Sequence, residues 1–215
     1  MKEIVIHMEG GGSSKEQRAQ LRDGMNAFLG TLKIFADAKG WAWRLVPRGG
    51  REEAWREWSR GLADSPAVLH ILLVDSEEEV TRSPREHLRN RVGDGWAIQK
   101  GYEPQVHLMA QCMEAWLVAD PDALAGYYKQ GFEVRQLPKR ANLEEEPKPS
   151  IYRALERATR RTSKRAYRKI EHASALLRLI DPTKAKARCP HCERLFTILT
   201  RTLGSPGNVA TGRLR

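Results

Sequence analysis

Ile4-Val5-Ile6-His7-Met8-Glu9-Gly10-Gly11-Gly12-Ser13-Ser14-Lys15 is the stretch from which the fold is read. A β-branched run ends in a carboxylate, and three glycines and two serines then lead into a helical pattern. Glycine lets the backbone turn sharply through positive φ, and Ser13 or Ser14 is a natural helix N-cap. The reading is a strand, a tight loop and a helix, with Glu9 presented at the strand's C-terminal end. In open α/β sheets that edge is where ligands bind.

Outward from this unit, Gln17 to Ala38 reads as one amphipathic helix, with Leu21, Met25, Phe28, Leu29, Leu32 and Phe35 at helical spacing. Trp41 to Val46 reads as a second strand closed by Pro47 and Gly49-Gly50, and Arg51 to Leu62 as a helix. Ala67 to Asp75 is the most apolar segment, and a continuous apolar run marks a strand covered on both faces. The pattern β-α-β-α-β predicts a parallel sheet. Residues two apart on a strand point the same way, so Asp75 and Glu77 are expected to aim at one point beyond the sheet edge that Glu9 also reaches. Three converging carboxylates repel unless a cation neutralises them, and hard oxygen donors suit Mg²⁺ or Mn²⁺.

From Glu78 to Gln105 the chain is polar and rich in glycine and proline, as expected of an irregular insert, with a short helix at Pro84 to Asn90. Val106 to Gln111 reads as a fourth strand, followed by a helix from Cys112 to Asp120. Glu114 there is either a fourth acidic ligand or an acid placed by the helix macrodipole. Asp120-Pro121 is a cap-and-N1 pair that opens a helix reaching Tyr128. Leu137 to Pro149 is a polar connection, after which three helices are predicted: Ser150 to Thr159, Lys164 to Leu179 and Arg188 to Leu203. The expected organisation is an α/β domain over residues 1–137, a helical extension packed on it over 138–203 and a flexible tail over 204–215.

Charge narrows the class. The chain has 215 residues and a formal net charge of +10, which points to a polyanionic partner, nucleic acid before membrane. Lys164, Arg165, Arg168, Lys169 and His172 would form a basic helical face, either merely solvated or holding phosphates. Lys15 at a helix start can touch a phosphate, but the glycine loop lacks Walker spacing, so ATP binding is not expected. No run approaches the ~18–20 apolar residues of a membrane span. An export signal is also missing, and three cysteines leave one unpaired in any disulfide scheme; a cytoplasmic protein with reduced thiols is the expectation. Cys189-Pro190-His191-Cys192 has half of a zinc ligand set, and a structural zinc site needs four ligands, so ordinary thiols are the simpler reading. His107 on an apolar strand reads as a core histidine, and Trp55 and Trp58 as core.

The strand ending in Glu9-Gly10 and the later strand ending in Asp75-Ser76-Glu77 resemble the Toprim fold. That fold is shared by topoisomerases, bacterial primases and nucleases of the OLD and ribonuclease M5 kind. The second motif is usually Asp-x-Asp, and this chain carries Glu77 at its second acid. More closely, Glu9 to Gly12, Val74 to Glu77, His107 to Trp116, Arg168-Lys169 to His172 and Glu193 to Phe196 are similar to a bacterial Toprim-like family. That family is encoded beside OLD/SMC-like ATPases and linked to anti-phage defence. The resemblance implies a Rossmann-like, mostly parallel sheet flanked by helices. It also implies a metal-dependent nuclease with Glu9, Asp75 and Glu77 as metal ligands and Glu114 as a further catalytic acid. Glu9 is alternatively the general base or acid. Lys15, Arg165, Arg168, Lys169 and His172 would hold DNA or RNA, an ATPase would be the partner, and a homo-oligomer is compatible with it. A non-catalytic subunit of an ATPase complex and a nucleic-acid binder without cleavage are the other classes.

Overall fold

The computed structural model describes residues 2–204; the expected tail, from 205 onward, lies outside them. Four strands, β1 (Lys2–Met8), β2 (Trp41–Pro47), β3 (Leu69–Asp75) and β4 (Val106–Met109), form one sheet in the order β2-β1-β3-β4. All pairings are parallel, with Ile6 opposite Leu45 on one side and Ile71 on the other, and Val74 opposite Leu108. The chain passes from β1 to β2 on one side and then crosses to β3 on the other. The switch point therefore lies between the C-terminal ends of β1 and β3, where a crevice opens in such sheets.

Among the described residues ten α-helices surround the sheet: α1 (Lys15–Phe28), α2 (Gly30–Ala38), α3 (Arg51–Asp64), α4 (Pro84–Asn90), α5 (Glu114–Val118), α6 (Pro121–Tyr128), α7 (Lys148–Thr159), α8 (Lys169–Leu177), α9 (Pro182–Arg188) and α10 (Pro190–Gly204). Every residue of β3 is buried, as its unbroken apolar run requires. Leu69, Ile71 and Leu73 face a core shared with α1, α2 and the C-terminal helices, while Leu72 and Val74 face a smaller core with Trp58, Leu88 and Trp96. The helices after Leu137 thus close the larger face of the sheet. On α10, Cys192, Leu195, Phe196, Leu199 and Leu203 make the buried stripe, and Arg194 donates to the Val106 carbonyl and the His107 ring. His107 is fully buried, and that burial, followed by the Arg194 charge, pushes its pKa down to about 3. It is a core histidine.

Local chemistry explains several boundaries. Ser14 caps α1 in a reciprocal capping box with Gln17. Asp120 caps α6, with Pro121 following it. Several sequence-based boundaries change: β4 and α5 are shorter than expected, α7 begins at Lys148, and three further differences concern the helices. The single helix expected over Gln17 to Ala38 is broken at Leu29, which caps α1 and starts α2. The helix expected from Arg188 starts instead at Pro190 as α10, and Arg188 ends α9, a helix the sequence reading did not expect, because proline favours an extended residue before it and suits a first turn. The helix expected from Lys164 begins only at Lys169.

α8 lies close against α1. At Gly24 a Cβ would overlap the Ser174 carbonyl and approach its Cα to 2.9 Å. Gly24→Ala should therefore destabilise by about 1–3 kcal/mol through overpacking, against the ~1 kcal/mol gain that helix propensity alone would give. Denaturant unfolding of the two proteins checks this; a higher midpoint in the variant would refute the close approach.

Candidate metal centre

Glu9 follows the last residue of β1. Its amide donates to the Leu73 carbonyl at 3.0 Å, so the backbone is still tied to β3 when the side chain leaves the sheet. Gly10 then pairs with Gly49 in a short antiparallel bridge, which draws the loop toward the start of α3. Gly12 has φ +63°, and a Cβ there would strike the Gln17 side chain that completes the α1 cap. The loop is glycine-rich because it must fold back tightly onto α1, and that leaves Glu9 facing the switch point.

Asp75 ends β3 and is 1% exposed. Its Oδ1 accepts from the Met113 amide at 2.9 Å, just before α5. The Asp75 amide donates to Glu9 Oε2 at 3.1 Å, which fixes the two carboxylates relative to each other. Glu77 arrives differently from expectation. The strand stops at Asp75, and Glu77 sits at φ 68° with its amide bonded to the Gln111 carbonyl at 2.9 Å. A left-handed turn, and not strand alternation, returns its side chain to the site. Such a conformation is unusual for a non-glycine residue and costs on the order of 1 kcal/mol. One carboxylate oxygen from each of Glu9, Asp75 and Glu77 lies within 4.8 Å of the others.

Three cations reach this cluster from distant parts of the chain. Lys148 Nζ, in the first turn of α7, lies 2.7 Å from Glu77 Oε1 and 3.2 Å from Asp75 Oδ2. Lys169 Nζ, at the start of α8, lies 3.4 Å from Asp75 and 3.5 Å from Glu114. Arg51 opens α3, donates to the Asp75 carbonyl, and reaches Glu9 Oε2 at 3.5 Å. Its guanidinium is locked by two bonds to Asp94, at 2.8 and 2.6 Å, and lies over the Trp96 ring. The polar insert after β3 therefore supplies the brace for Arg51.

Glu114 is brought near but not into the trio. It is completely buried, accepts from the Tyr167 hydroxyl at 3.0 Å, and meets Asp75 only through Lys169. The expected basic helical face does not form. Arg165 and Lys164 precede α8 as exposed residues, and Arg168 pairs with Glu171 at 2.6 Å. Lys169 turns inward to the acids, and His172 is buried with its Nδ1 2.9 Å from the Tyr128 hydroxyl. His172 packs among tyrosines and is no surface contact for nucleic acid. Lys15 is exposed at the first residue of α1. Sequence reading missed Arg51, Asp94 and Lys148. The Gly49-Gly50 turn before Arg51 was a signal for one of them; Lys148, flanked by Pro147 and Pro149, gave none beyond its charge.

Electrostatics follow from this geometry. Burial first, and then the Asp75 charge, push the Glu9 carboxyl up to about 7, against the opposing pull of Arg51. Burial alone would lower the Lys169 ammonium, but Asp75 and Glu114 outweigh it and hold it above the ordinary lysine range. Lys148 is likewise raised, by Asp75 and Glu77 against its burial. With Asp94 and Arg91 included, five carboxylates, of which Glu9 is partly protonated near neutral pH, meet four cations, so the cluster lies close to charge balance. The acidic trio fits a hard divalent cation, which takes oxygen ligands. Among the described residues no other group of three or more His, Cys, Asp or Glu can hold a metal ion. Cys112, Cys189 and Cys192 are free, buried thiols, and His191 is occupied by Glu144 at 2.6 Å.

Fold and site together define a Rossmann-like α/β protein with an acidic cluster of metal-ligating type at the switch point of a parallel sheet. The chain belongs to the family described as Domain of unknown function (DUF4276), whose model matches residues 8–200. Comparison with curated proteins and with solved structures gave no match. Among the described residues no helix is long and apolar enough to cross a membrane.

The raised Glu9 pKa fixes a pH dependence. A carboxyl at about 7 in the fold and 4.5 when unfolded makes the folded state hold the extra proton, so stability falls as pH rises through that window. Glu9→Gln keeps the neutral form throughout. In metal-free protein the variant should gain on the parent above pH ~4.5 and lead by at most about 3 kcal/mol near pH ~8. Melting curves in chelator across this range test it, and a pH-independent difference would contradict the assignment.

Proposed function

We propose that this protein is a metal-dependent nuclease, hydrolysing phosphodiester bonds in DNA or RNA as the Toprim-like effector of an ATPase-linked anti-phage system. The observation that carries this reading is the convergence of Glu9, Asp75 and Glu77 at the switch-point edge, with one oxygen of each within 4.8 Å of the others. Mg²⁺ or Mn²⁺ held there would polarise a phosphate oxygen and lower the pKa of a bound water. Asp75, pinned by the Met113 amide, and Glu77, held by its turn, are the ligands whose geometry the backbone fixes. Glu9 is oriented by the Asp75 amide, and in the metal-free chain burial and the Asp75 charge raise its carboxyl to about 7. It is suited to take or deliver a proton at its carboxyl, since general catalysis works best near the operating pH. Lys148 and Lys169 put positive charge where a phosphate would approach, and the charge of +10 on the whole chain favours a polyanion.

A second reading also has an observation behind it. The trio is already partnered by Lys148, Lys169 and Arg51, and a closed ionic network can serve fold alone. On that reading the protein is a non-catalytic subunit that binds an ATPase or a nucleic acid.

The two are separated by incubating the purified chain, alone and with the ATPase encoded beside it, with plasmid, single-stranded DNA and tRNA. Cleavage that needs Mg²⁺ or Mn²⁺ is expected. It should fall at least ~100-fold in Glu9→Ala and Asp75→Ala while both variants keep the parent's far-ultraviolet spectrum. Equal cleavage by parent and variants would remove the trio from the chemistry.

A further inference from the structure

Among the described residues Lys148 is the one cation paired with the carboxylates of two members of the acidic trio. Its Nζ sits 2.7 Å from Glu77 Oε1 and 3.2 Å from Asp75 Oδ2. A divalent ion would need the same oxygens at about 2.0–2.6 Å, and like charges cannot share them so closely. The lysine's root is fixed, because its amide donates to Gln111 Oε1 at 3.3 Å in the first turn of α7. Its side chain is 23% exposed and its partner Asp75 only 1%, so the lysine has a solvent contact that the acid lacks. Lysine is a strongly hydrated point charge on a flexible four-carbon stem. Leaving the acids requires only rotation of that stem, and the backbone need not move. Lys169 differs. It links Asp75 to the fully buried Glu114, whose charge would be left uncompensated in the interior if Lys169 moved.

We infer that Lys148 is a built-in counter-ion occupying the metal position, and that it leaves this position for a phosphate group of the substrate, so that divalent cation and phosphodiester load the site together. The inference rests on the metal-site reading above and adds its control: the site discriminates against metal in the absence of substrate. Glu77 and Asp75 give up one ammonium, the phosphodiester gains it, and the freed oxygens accept the dication. The dication brings +2 and the phosphodiester −1, so a site in which one ammonium faces two carboxylates moves from one net negative charge to none, and neither partner is favoured alone. By linkage, substrate phosphate must tighten metal binding by the same factor as metal tightens phosphate binding.

The test is calorimetric titration with Mn²⁺ of the intact chain, with and without a cleavage-resistant phosphorothioate decamer of thymidine or of uridine, each decamer also titrated alone as a blank. The parent should bind Mn²⁺ at least about tenfold more tightly with a decamer present. Lys148→Met should reach that tighter affinity without a decamer and gain little from adding one, and Lys148→Gln should behave alike. The decamer that produces the coupling identifies DNA or RNA as the source of the phosphate. If Mn²⁺ binds equally to parent and variants, or the parent is indifferent to both decamers, the counter-ion role is overturned and the metal site stands. If Mn²⁺ binds in no arm, both fall. The parent arm needs no substitution, so the inference is exposed to disproof even if a variant misfolds.

Discussion

Three carboxylates at one end of a parallel sheet impose the constraint on which the rest of this structure depends. Like charges within 4.8 Å in a partly desolvated crevice repel one another and destabilise the fold unless positive charge meets them. The chain answers with one cation from each of three helices: Arg51 of α3, Lys148 of α7 and Lys169 of α8. These elements come from both sides of the sheet in sequence. The C-terminal helices are therefore not an independent appendage at this edge. Their apolar residues join the larger core, and their first turns complete the charge balance.

That coupling also gives the irregular insert after β3 a purpose. Asp94, 3% exposed at its side chain, takes Arg51 in a two-pronged bond and Trp96 supports the guanidinium from its face. Planar, bidentate pairing of this kind fixes orientation as well as charge. Arg51 is held in place by the insert before it touches Glu9. On the opposite side, the buried Glu114 is satisfied by Tyr167 and Lys169, and Tyr167 comes from the segment between α7 and α8. Each wall of the crevice is a chain of hydrogen bonds ending on the trio.

How much of this was legible in the sequence depends on range. β3 was readable because a seven-residue strand with no exposed position must be apolar throughout. The caps at Ser14 and Asp120 were readable because a cap is satisfied within three residues. Glu9 and Asp75 were legible because topology brings the ends of parallel strands to one edge. What failed was long-range or conformational. Lys148 meets Glu77 across 71 residues, and no local pattern reports such a pairing. His172 was read as surface because its neighbours are basic, yet α8 starts at Lys169 and turns His172 inward against Tyr128. Lys169 and His172, three apart, share one face of α8, and tertiary packing turns that face inward. The break at Leu29 was invisible because the apolar spacing continues across it.

Glu77 shows how a correct residue can be expected for an incorrect reason. Strand alternation would have placed residues 75 and 77 side by side, but the strand ends at Asp75 and the chain turns through a left-handed residue. The turn is fixed by the Gln111 carbonyl, beyond the end of β4, so tertiary pairing sets where the 77 side chain starts. A carboxylate starting from that turn needs length to return to the crevice. Glutamate has one more carbon than aspartate, about 1.5 Å of reach, and it spends that reach in meeting Lys148 at 2.7 Å. The Asp-x-Glu spelling and the left-handed turn are thus a matched pair. Shortening the acid while keeping the turn would withdraw the third oxygen, and straightening the turn would misdirect a glutamate. The spacing of the two acids in sequence is therefore compatible with one site only because of a backbone conformation that the sequence does not display.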